Sequence, residues 1–442
     1  MAARGGLLQQ VMDIRRHEWP MALGMLAYFF LVITVFWILK PLKKGIFIGH
    51  YDQSGVDLLG WQLTAAQAEL VAKVLNMVVA FAAVAAFTYL SRRLRRQQLT
   101  CAFSLFFVLA LALYVPVLDR AGPWTVWTFY LLGDLYSTLM VATFFAFLND
   151  SVDARAAKRL YGLIGLGGVG GGWFGSAVLL SQIGTLGRGA WVWVCAGITL
   201  LVALIAVAVG RRVGHAGEPR AAGAAPVPPS PEGGSAALEG ARLVLRSGYL
   251  LAIVAIVGLY EVVSTVMDFQ FSAAVAHYLD GEEIGVQFAR VYTLTNAVAF
   301  CVQLFLTSLV MTRLGVGAAL LFLPVAALAG SAAFAVLPSL WIGSLLNTAD
   351  NGFAYSINQS AKETLYVPTS RDEKYKAKAF IDMFVQRLAK ALAVGLSLLI
   401  TTYFTGFGSI RWLSFFSIAV LIAWVAAARC AGRAFAGREG SH

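Results

Sequence analysis

The stretch MALGMLAYFFLVITVFWILKPLKKGIF, Met21 to Phe47, decides the class of this chain. No charged residue occurs between Met21 and Leu39, and that run is long enough for a helix to cross the hydrocarbon core of a bilayer. Similar runs recur along the 442 residues, of which 59% are hydrophobic and 13% charged, and the mean hydropathy is +0.74. Period-two alternation is absent, so membrane strands are excluded. The sequence predicts an all-α polytopic membrane protein.

Hydropathy predicts twelve transmembrane helices, here called spans one to twelve. Their approximate bounds are 20–47, 64–90, 101–119, 124–149, 161–183, 188–210, 248–278, 287–311, 316–337, 339–365, 377–403 and 407–429. A Pro-, Gly-, Ala- and Ser-rich segment lies between spans six and seven, and its composition cannot bury a core. The expected domains are an N-terminal tail at 1–19, six-helix bundles at 20–210 and 248–430, a flexible linker at 211–247 and a C-terminal tail at 431–442.

Basic residues in the short loops predict the orientation. The N-terminal tail, SRRLRRQQ (Ser91–Gln98), RDEKYKAK (Arg371–Lys378) and the C-terminal tail all fall on one side, which we expect to be cytoplasmic. The opposite loops, around Asp52 and Asp280, lean acidic. The net charge of +11 therefore reflects membrane topology and does not indicate a nucleic-acid partner.

Two six-helix halves with both termini and the linker in the cytoplasm describe the major facilitator architecture, in which the substrate site lies near the bilayer midplane. The basic N-terminus before Met21 superficially resembles a signal peptide, but the apolar run is too long and lacks a small-x-small cleavage site. We expect a retained first span, no transit peptide, a location in a bacterial inner membrane and a monomer in the lipid bilayer.

Charged residues fall inside the predicted spans, among them Lys43, Asp134, Asp268 and Lys362. An ionised group at the centre of a membrane helix costs about 2.5–3.5 kcal/mol on insertion scales, so such groups usually line a polar path. Their presence predicts a transporter. No nucleophile, metal-ligand cluster or soluble catalytic domain indicates an enzyme, and no cofactor is expected.

Lys40, Lys43 and Lys44 share one helical face at i, i+3 and i+4, and Pro41 weakens the helix beside them. A cationic cradle for an anionic substrate is one interpretation. The other is that the three lysines extend to the outer membrane interface. Arg290 in span eight is a further candidate because its planar fork can grip phosphate, although it can also mark the end of its span.

Asp134 and Asp268 lie deep in spans four and seven. They can hold lysines in ion pairs that reorganise during transport, or one of them can bind a coupling ion, a proton or sodium. The competing interpretation is polar contact between helices. Glu69 and Lys73 in span two are spaced i, i+4, which favours an intrahelical pair at least as strongly as a role in transport.

Spans ten and eleven are polar near their cytoplasmic ends. Asn358 and other amides in span ten must face protein or water, and side chains of this kind can read a base or ribose. Glu363 follows Lys362 directly, and span eleven carries a stripe of Asp382, Arg387 and Lys390. We expect a cytoplasmic gate formed by Glu363, Asp382, Arg387 and Lys390.

Two long strings narrow the family. AKRLYGLIGLG (Ala157–Gly167), and AKETLYVP (Ala361–Pro368) followed by KYKAKAFID (Lys374–Asp382), resemble the ATP/ADP translocases of plastids and obligate intracellular bacteria. Weaker matches at ILKPLKKGIF (Ile38–Phe47), DLYSTLMVATFFAFLND (Asp134–Asp150) and Tyr260–Asp268 extend the resemblance over nearly the whole chain. The resemblance implies nucleotide transport that depends on Lys43, Asp134, Asp268 and Lys362.

The chain departs from the family pattern at four positions. Asp stands at the last two acidic positions where the family usually has Glu, and Lys44 stands where the family has Asp. Ser272 stands where the family carries a lysine shortly after the acid of span seven. A proton- or sodium-coupled carrier of another organic anion or a lipid-like solute therefore stays open, as does a membrane scaffold or sensor that does not transport.

Overall fold

The computed structural model of the chain describes residues 19–58, 60–151, 154–214, 235–370, 373–404 and 406–439. The elements, in chain order, are α1 Trp19–Tyr51, β1 Val56–Leu58, β2 Trp61–Leu63, α2 Ala65–Arg93, α3 Arg96–Tyr114, α4 Pro123–Ser151, α5 Ala154–Gln182, α6 Arg188–Gly214, α7 Ser235–Arg246, α8 Gly248–Tyr278, α9 Glu282–Cys301, α10 Thr307–Arg313, α11 Gly315–Val336, α12 Leu340–Phe353, α13 Gln359–Leu365, α14 Lys378–Phe380, α15 Gln386–Tyr403 and α16 Arg411–Glu439.

The predicted all-α polytopic class is confirmed. Within the described residues, 11 helical segments are long and apolar enough to cross a membrane. The remaining predicted span, 339–365, is helical but polar, and a π turn at Ala354–Asn358 interrupts it. The count of twelve spans stays a prediction.

Several bounds differ from those predicted. Span three, expected at 101–119, is the helix α3 at Arg96–Tyr114, followed by a short 3-10 turn at Leu118–Arg120. The last helix continues to Glu439 and so includes most of the tail expected at 431–442. Of the other expected non-membrane segments, residues 1–18 and 215–234 lie outside the described residues, whereas helix α7 occupies the end of the linker.

A short antiparallel hairpin follows α1 and was not predicted. Val56 pairs with Leu63 and Leu58 with Trp61. Gly60 adopts a φ of +86°, which glycine accepts without strain, and the Asp57 carboxylate accepts the Gly60 N–H at 2.9 Å. These local contacts close a turn that hydropathy alone does not reveal.

The chain divides into two compact units. Among the described residues, the first takes in 19–47, 78–214 and Phe288–Arg290, and the second takes in Ile48–Met77, 235–287 and 291–439. The core of the second unit is built from apolar faces of α8, α11 and α16, with Leu250, Leu323 and Trp424 fully buried. The predicted division at 211–247 is not tested by this grouping and stays a prediction.

Glycines on α5 bring it close to α1 in the first unit, as the Gly-rich sequence of this helix predicts for tight helix packing. A Cβ added at Gly175 would lie 2.5 Å from the Thr34 carbonyl oxygen, and the Thr34 hydroxyl itself donates to the Gly171 carbonyl at 3.3 Å. Backbone therefore meets backbone along this contact.

We expect Gly175→Ala to destabilise the protein by roughly 1–3 kcal/mol, because the added methyl group overpacks a backbone contact that cannot yield. Gly165→Ala on the same helix is the matched control, since nothing lies within 4 Å of its Cβ position. The measurement is thermal unfolding in detergent. Equal melting temperatures for the two variants would contradict the close packing of α5 on α1.

Candidate functional site

The three clustered lysines of α1 lie in the first unit, on either side of Pro41. Lys43 and Lys44 are almost completely buried, with residue exposures of 4% and 3%. The Lys40 ammonium lies 4.5 Å above the Trp37 ring. Buried ammonium groups need anionic or aromatic partners, and the burial of Lys43 and Lys44 distinguishes them from lysines that extend to the membrane interface.

Lys43 forms an ion pair with Asp134 of α4. Its ammonium also lies 4.3 Å from the centre of the Tyr130 ring, one helical turn before Asp134. Gly133 makes room for the lysine stem, because a Cβ there would lie 2.8 Å from the Lys43 Cδ. The aspartate remains partly accessible, at 24% side-chain exposure. The carboxylate is therefore the more accessible member of the pair.

Lys44 points to a different partner. Its ammonium lies 5.0 Å from the centre of the Phe288 ring on α9. Arg290, two residues further along that helix, is exposed and belongs to the same compact unit. The structure thus joins Lys43 to Asp134, and it places Lys40 and Lys44 on separate aromatic rings beside them.

Asp268, in the second unit, contacts a lysine that the sequence did not single out for transport. The Lys73 ammonium of α2 lies 2.5 Å from an Asp268 carboxylate oxygen and 3.5 Å from a Glu69 oxygen. The intrahelical pair expected from the i, i+4 spacing is present, but the shorter contact joins two helices. The i, i+4 spacing thus predicted the contact of Lys73 with Glu69, but not its contact with Asp268.

Lys362 lies elsewhere in the same unit. Its ammonium is 5.1 Å from the centre of the Tyr260 ring, and the carboxylates of Glu261, Asp382 and Glu363 act on its charge. Asp268 and Lys362 thus contact different side chains.

Polar side chains of α12 form a chain of hydrogen bonds that begins at Asp268. The Asn347 amide donates to the second Asp268 oxygen at 3.1 Å, and the Asn351 amide donates to the Asn347 carbonyl at 3.0 Å. Ser264 of α8 donates to Asp350 at 2.6 Å. Asn358 ends the following π turn, is fully buried, and neither polar atom of its amide has a hydrogen-bond partner among the described residues.

The residues expected to form a gate make contacts within the second unit. Lys378 donates to Glu363 at 2.5 Å, and Lys390 lies 3.9 Å from Glu261. Gln386 donates to Asp382 at 3.5 Å, and Arg387 is partly buried on the same stretch. Lys378 and Glu261 were not predicted as partners. Their signal in the sequence, a charged residue within or beside an apolar run, does not identify the residue that each one contacts.

Comparison with known families gives a match at the C-terminal end of the chain. Residues 335–435 match the family model described as TLC ATP/ADP transporter. This segment includes α12, α13 and α15, and with them Asn358, Lys362 and the expected gate.

Curated relatives extend the similarity. The chain is 23% identical over 344 residues to ADP,ATP carrier protein 1, chloroplastic, of Arabidopsis thaliana, covering 69% of this chain and 53% of that protein. It is 25% identical over 306 residues to ADP,ATP carrier protein 1 of Chlamydia muridarum, covering 61% of this chain and 57% of that protein. The chain thus spans about half the length of the curated relatives it matches, and these relatives are carriers rather than enzymes.

Solved structures of transporters share the fold. A bacterial homologue of the human lysosomal transporter Spinster, captured inward-facing and unoccupied, aligns with 96% of this chain and 99% of its own length at a TM-score of 0.61 and 15% identity. The nucleoside transporter NupG aligns with 92% of this chain and 98% of its own length, at a TM-score of 0.61 and 12% identity. The chain is thus similar in sequence to ADP,ATP carriers and has a major-facilitator-like fold.

Proposed function

We propose that this protein is a secondary transporter that exchanges adenine nucleotides, ATP for ADP, by alternating access. The observation that carries the proposal is the Lys43–Asp134 pair, with Lys40 and Lys44 on the same helix. The matches to ADP,ATP carriers support the choice of substrate.

A nucleoside di- or triphosphate brings about three to four negative charges, and its hydration must be replaced inside a low-dielectric path. Lys43 is already desolvated and held by Asp134 and Tyr130, so it needs little reorganisation to receive a phosphate oxygen. Asp134 neutralises the lysine while the site is empty. A phosphate that displaces Asp134 exchanges one charge-assisted contact for another, which keeps binding reversible.

The second unit carries candidate residues of its own. Lys362 would bind phosphate, while Asp268 balances charge through its contacts with Lys73 and Asn347. The buried amide of Asn358 would read the base or ribose in a conformation that opens the π turn. Arg290 is included as a candidate phosphate ligand because guanidinium groups bind phosphate bidentately.

The remaining expectations belong to this proposal. They are twelve spans, cytoplasmic termini, a monomer in a bacterial inner membrane, and a cytoplasmic gate at Glu363, Asp382, Arg387 and Lys390. The Lys378–Glu363 contact supports the gate, because it ties the end of α13 to the start of the next span.

One rival is specific. Ser272 is fully buried in α8, at the position where the family resemblance calls for a lysine. A proton- or sodium-coupled carrier of a different organic anion would need fewer cations than an ATP carrier. A protein that no longer transports, a scaffold or sensor, is the rival of another class.

Uptake by reconstituted proteoliposomes separates these functions. Labelled ATP, ADP, AMP, a dicarboxylate and a lysophospholipid are offered in turn, with no gradient, with an imposed pH gradient or with a sodium gradient. Nucleotide exchange predicts uptake of ATP and ADP into proteoliposomes that contain ADP, without any ion gradient. Uptake of another anion that requires a gradient would favour the coupled carrier, and indifference to every solute would favour the scaffold.

A further inference from the structure

Lys73 occupies an unusual place between two helices of the second unit. It lies on α2 with 16% side-chain exposure, and its ammonium contacts both Asp268 of α8 and Glu69 one turn earlier on its own helix. Glu69 is buried at 1% side-chain exposure, and Asp268 is partly accessible at 22%. One cation is thus shared by an interhelical acid at 2.5 Å and an intrahelical acid at 3.5 Å.

The two acids differ in what holds them. The second oxygen of Asp268 accepts the Asn347 amide at 3.1 Å, so α12 fixes that carboxylate in place. Glu69 and Lys73 share one helix, and their spacing persists however α2 moves as a body. The lysine, with four rotatable carbons, is the mobile member of the group.

A desolvated ammonium group cannot be left without an anion, because breaking a buried pair by removing one partner typically costs about 3–5 kcal/mol. If α2 and α8 separate during alternating access, Lys73 must leave Asp268 and needs another carboxylate within reach. Glu69 is that carboxylate. Contact with Asp268 joins α2 to α8, whereas contact with Glu69 lies within α2.

We propose that Lys73 is a positioning residue of the transport cycle, whose ammonium group passes from Asp268 to Glu69 when α2 and α8 separate. This inference takes its substrate, the nucleotide, from the proposed function. The contacts of Lys73 with Asp268 and Glu69 do not depend on that function. It also assigns the cation beside Asp268 to α2 rather than α8, where Ser272 lies. Lys73 acts through Asp268 and is not assigned a contact with the nucleotide.

Glu69→Gln is the decisive variant, because it removes the negative charge of the second partner and leaves the shorter Lys73–Asp268 contact intact. We expect its ATP/ADP exchange rate to fall about tenfold or more, the effect of about one lost charge contact during the cycle. Its melting temperature should stay within about 2 °C of wild type. Glu239→Gln is the matched control, since this exposed acid pairs with Lys376 on the surface of the same unit, and its rate should be unchanged.

A second readout needs no nucleotide. Ala276 lines a cavity of about 220 Å³ in the second unit, two turns beyond Asp268 on α8. In a chain whose four native cysteines are replaced by serine, Ala276→Cys reports how often this end of α8 is open to a membrane-impermeant maleimide. We expect Glu69→Gln to slow labelling at least threefold and Glu239→Gln to leave it unchanged.

The outcomes are distinguishable. One outcome would overturn the proposal: Glu69→Gln labels and exchanges like wild type, while Lys73→Met loses exchange. It would show that Lys73 stays in contact with Asp268 throughout the cycle. If the wild-type protein exchanges no nucleotide, the proposed function fails, yet slower labelling of Glu69→Gln would still support the lysine transfer. Unchanged labelling would reject the transfer whatever the substrate.

Discussion

Replacing Lys43 by Met should reduce nucleotide exchange to about 1% of the wild-type rate or less, equivalent to about 2.7 kcal/mol of lost stabilisation. The reason is that Asp134 holds Lys43 in place, and the variant removes both the proposed phosphate ligand and the partner of Asp134. The single variant should also unfold more easily, by up to about 3 kcal/mol, because it leaves a partly buried carboxylate unpaired. The measurements are initial rates of exchange and thermal unfolding.

The double variant Lys43→Met, Asp134→Asn separates binding from folding. Removing both charges of a buried pair is often neutral for stability, so this variant should melt close to the wild-type temperature. Its exchange should stay at the level of Lys43→Met, because the phosphate ligand is still missing. Recovery of exchange to within a few-fold of wild type would show that the pair is structural and that phosphate binds elsewhere.

Replacing Lys362 by Met is the second large effect that we expect, a loss of roughly 30- to 100-fold in exchange rate. The carboxylates of Glu261, Asp382 and Glu363 act on this ammonium, which rests on the Tyr260 ring. Without the lysine these acids repel the incoming polyanion. Lys362→Arg keeps the charge and should recover a substantial part of the rate.

Lys376→Met is the control for Lys362→Met, because Lys376 lies in the same unit and pairs with the exposed Glu239. It should exchange nucleotide within about twofold of wild type, as expected for a surface pair. ATP-dependent protection from thermal unfolding gives an independent readout, and Lys362→Met should lose it. Full protection in Lys362→Met, or equal losses in the two variants, would remove Lys362 from the binding site.

Much of the fold followed from hydropathy because a bilayer permits few solutions: each long apolar run must be a helix whose backbone bonds are satisfied internally. The small exceptions arose from local contacts. The hairpin at 56–63 depends on Asp57 and Gly60, and the π turn at Ala354–Asn358 leaves no trace in a hydropathy profile. Span three shifted toward Arg96 because hydropathy does not register where a polar first turn begins.

The candidate site was predictable where one helix carried the signal. Lys40, Lys43 and Lys44 share a face at short spacing, and Asp134 stood out as an acid within an apolar run. The i, i+4 spacing of Glu69 and Lys73 indicated a pair within one helix, and it gave no reason to look for a second partner of Lys73. The contact of Lys73 with Asp268, 195 positions away in the sequence, was therefore not predicted. Spacing rules describe one helix, whereas pairs between helices depend on packing that the sequence does not display.

Exchange itself is the claim on which the account depends most. The direct measurement is uptake of labelled ATP into proteoliposomes that contain ADP, compared with uptake into proteoliposomes that contain buffer alone. We expect rapid uptake only when ADP is inside, and we expect the Lys43→Met, Asp134→Asn variant to lose this uptake. Uptake that is equal with and without internal ADP, or no uptake under either condition, would contradict it.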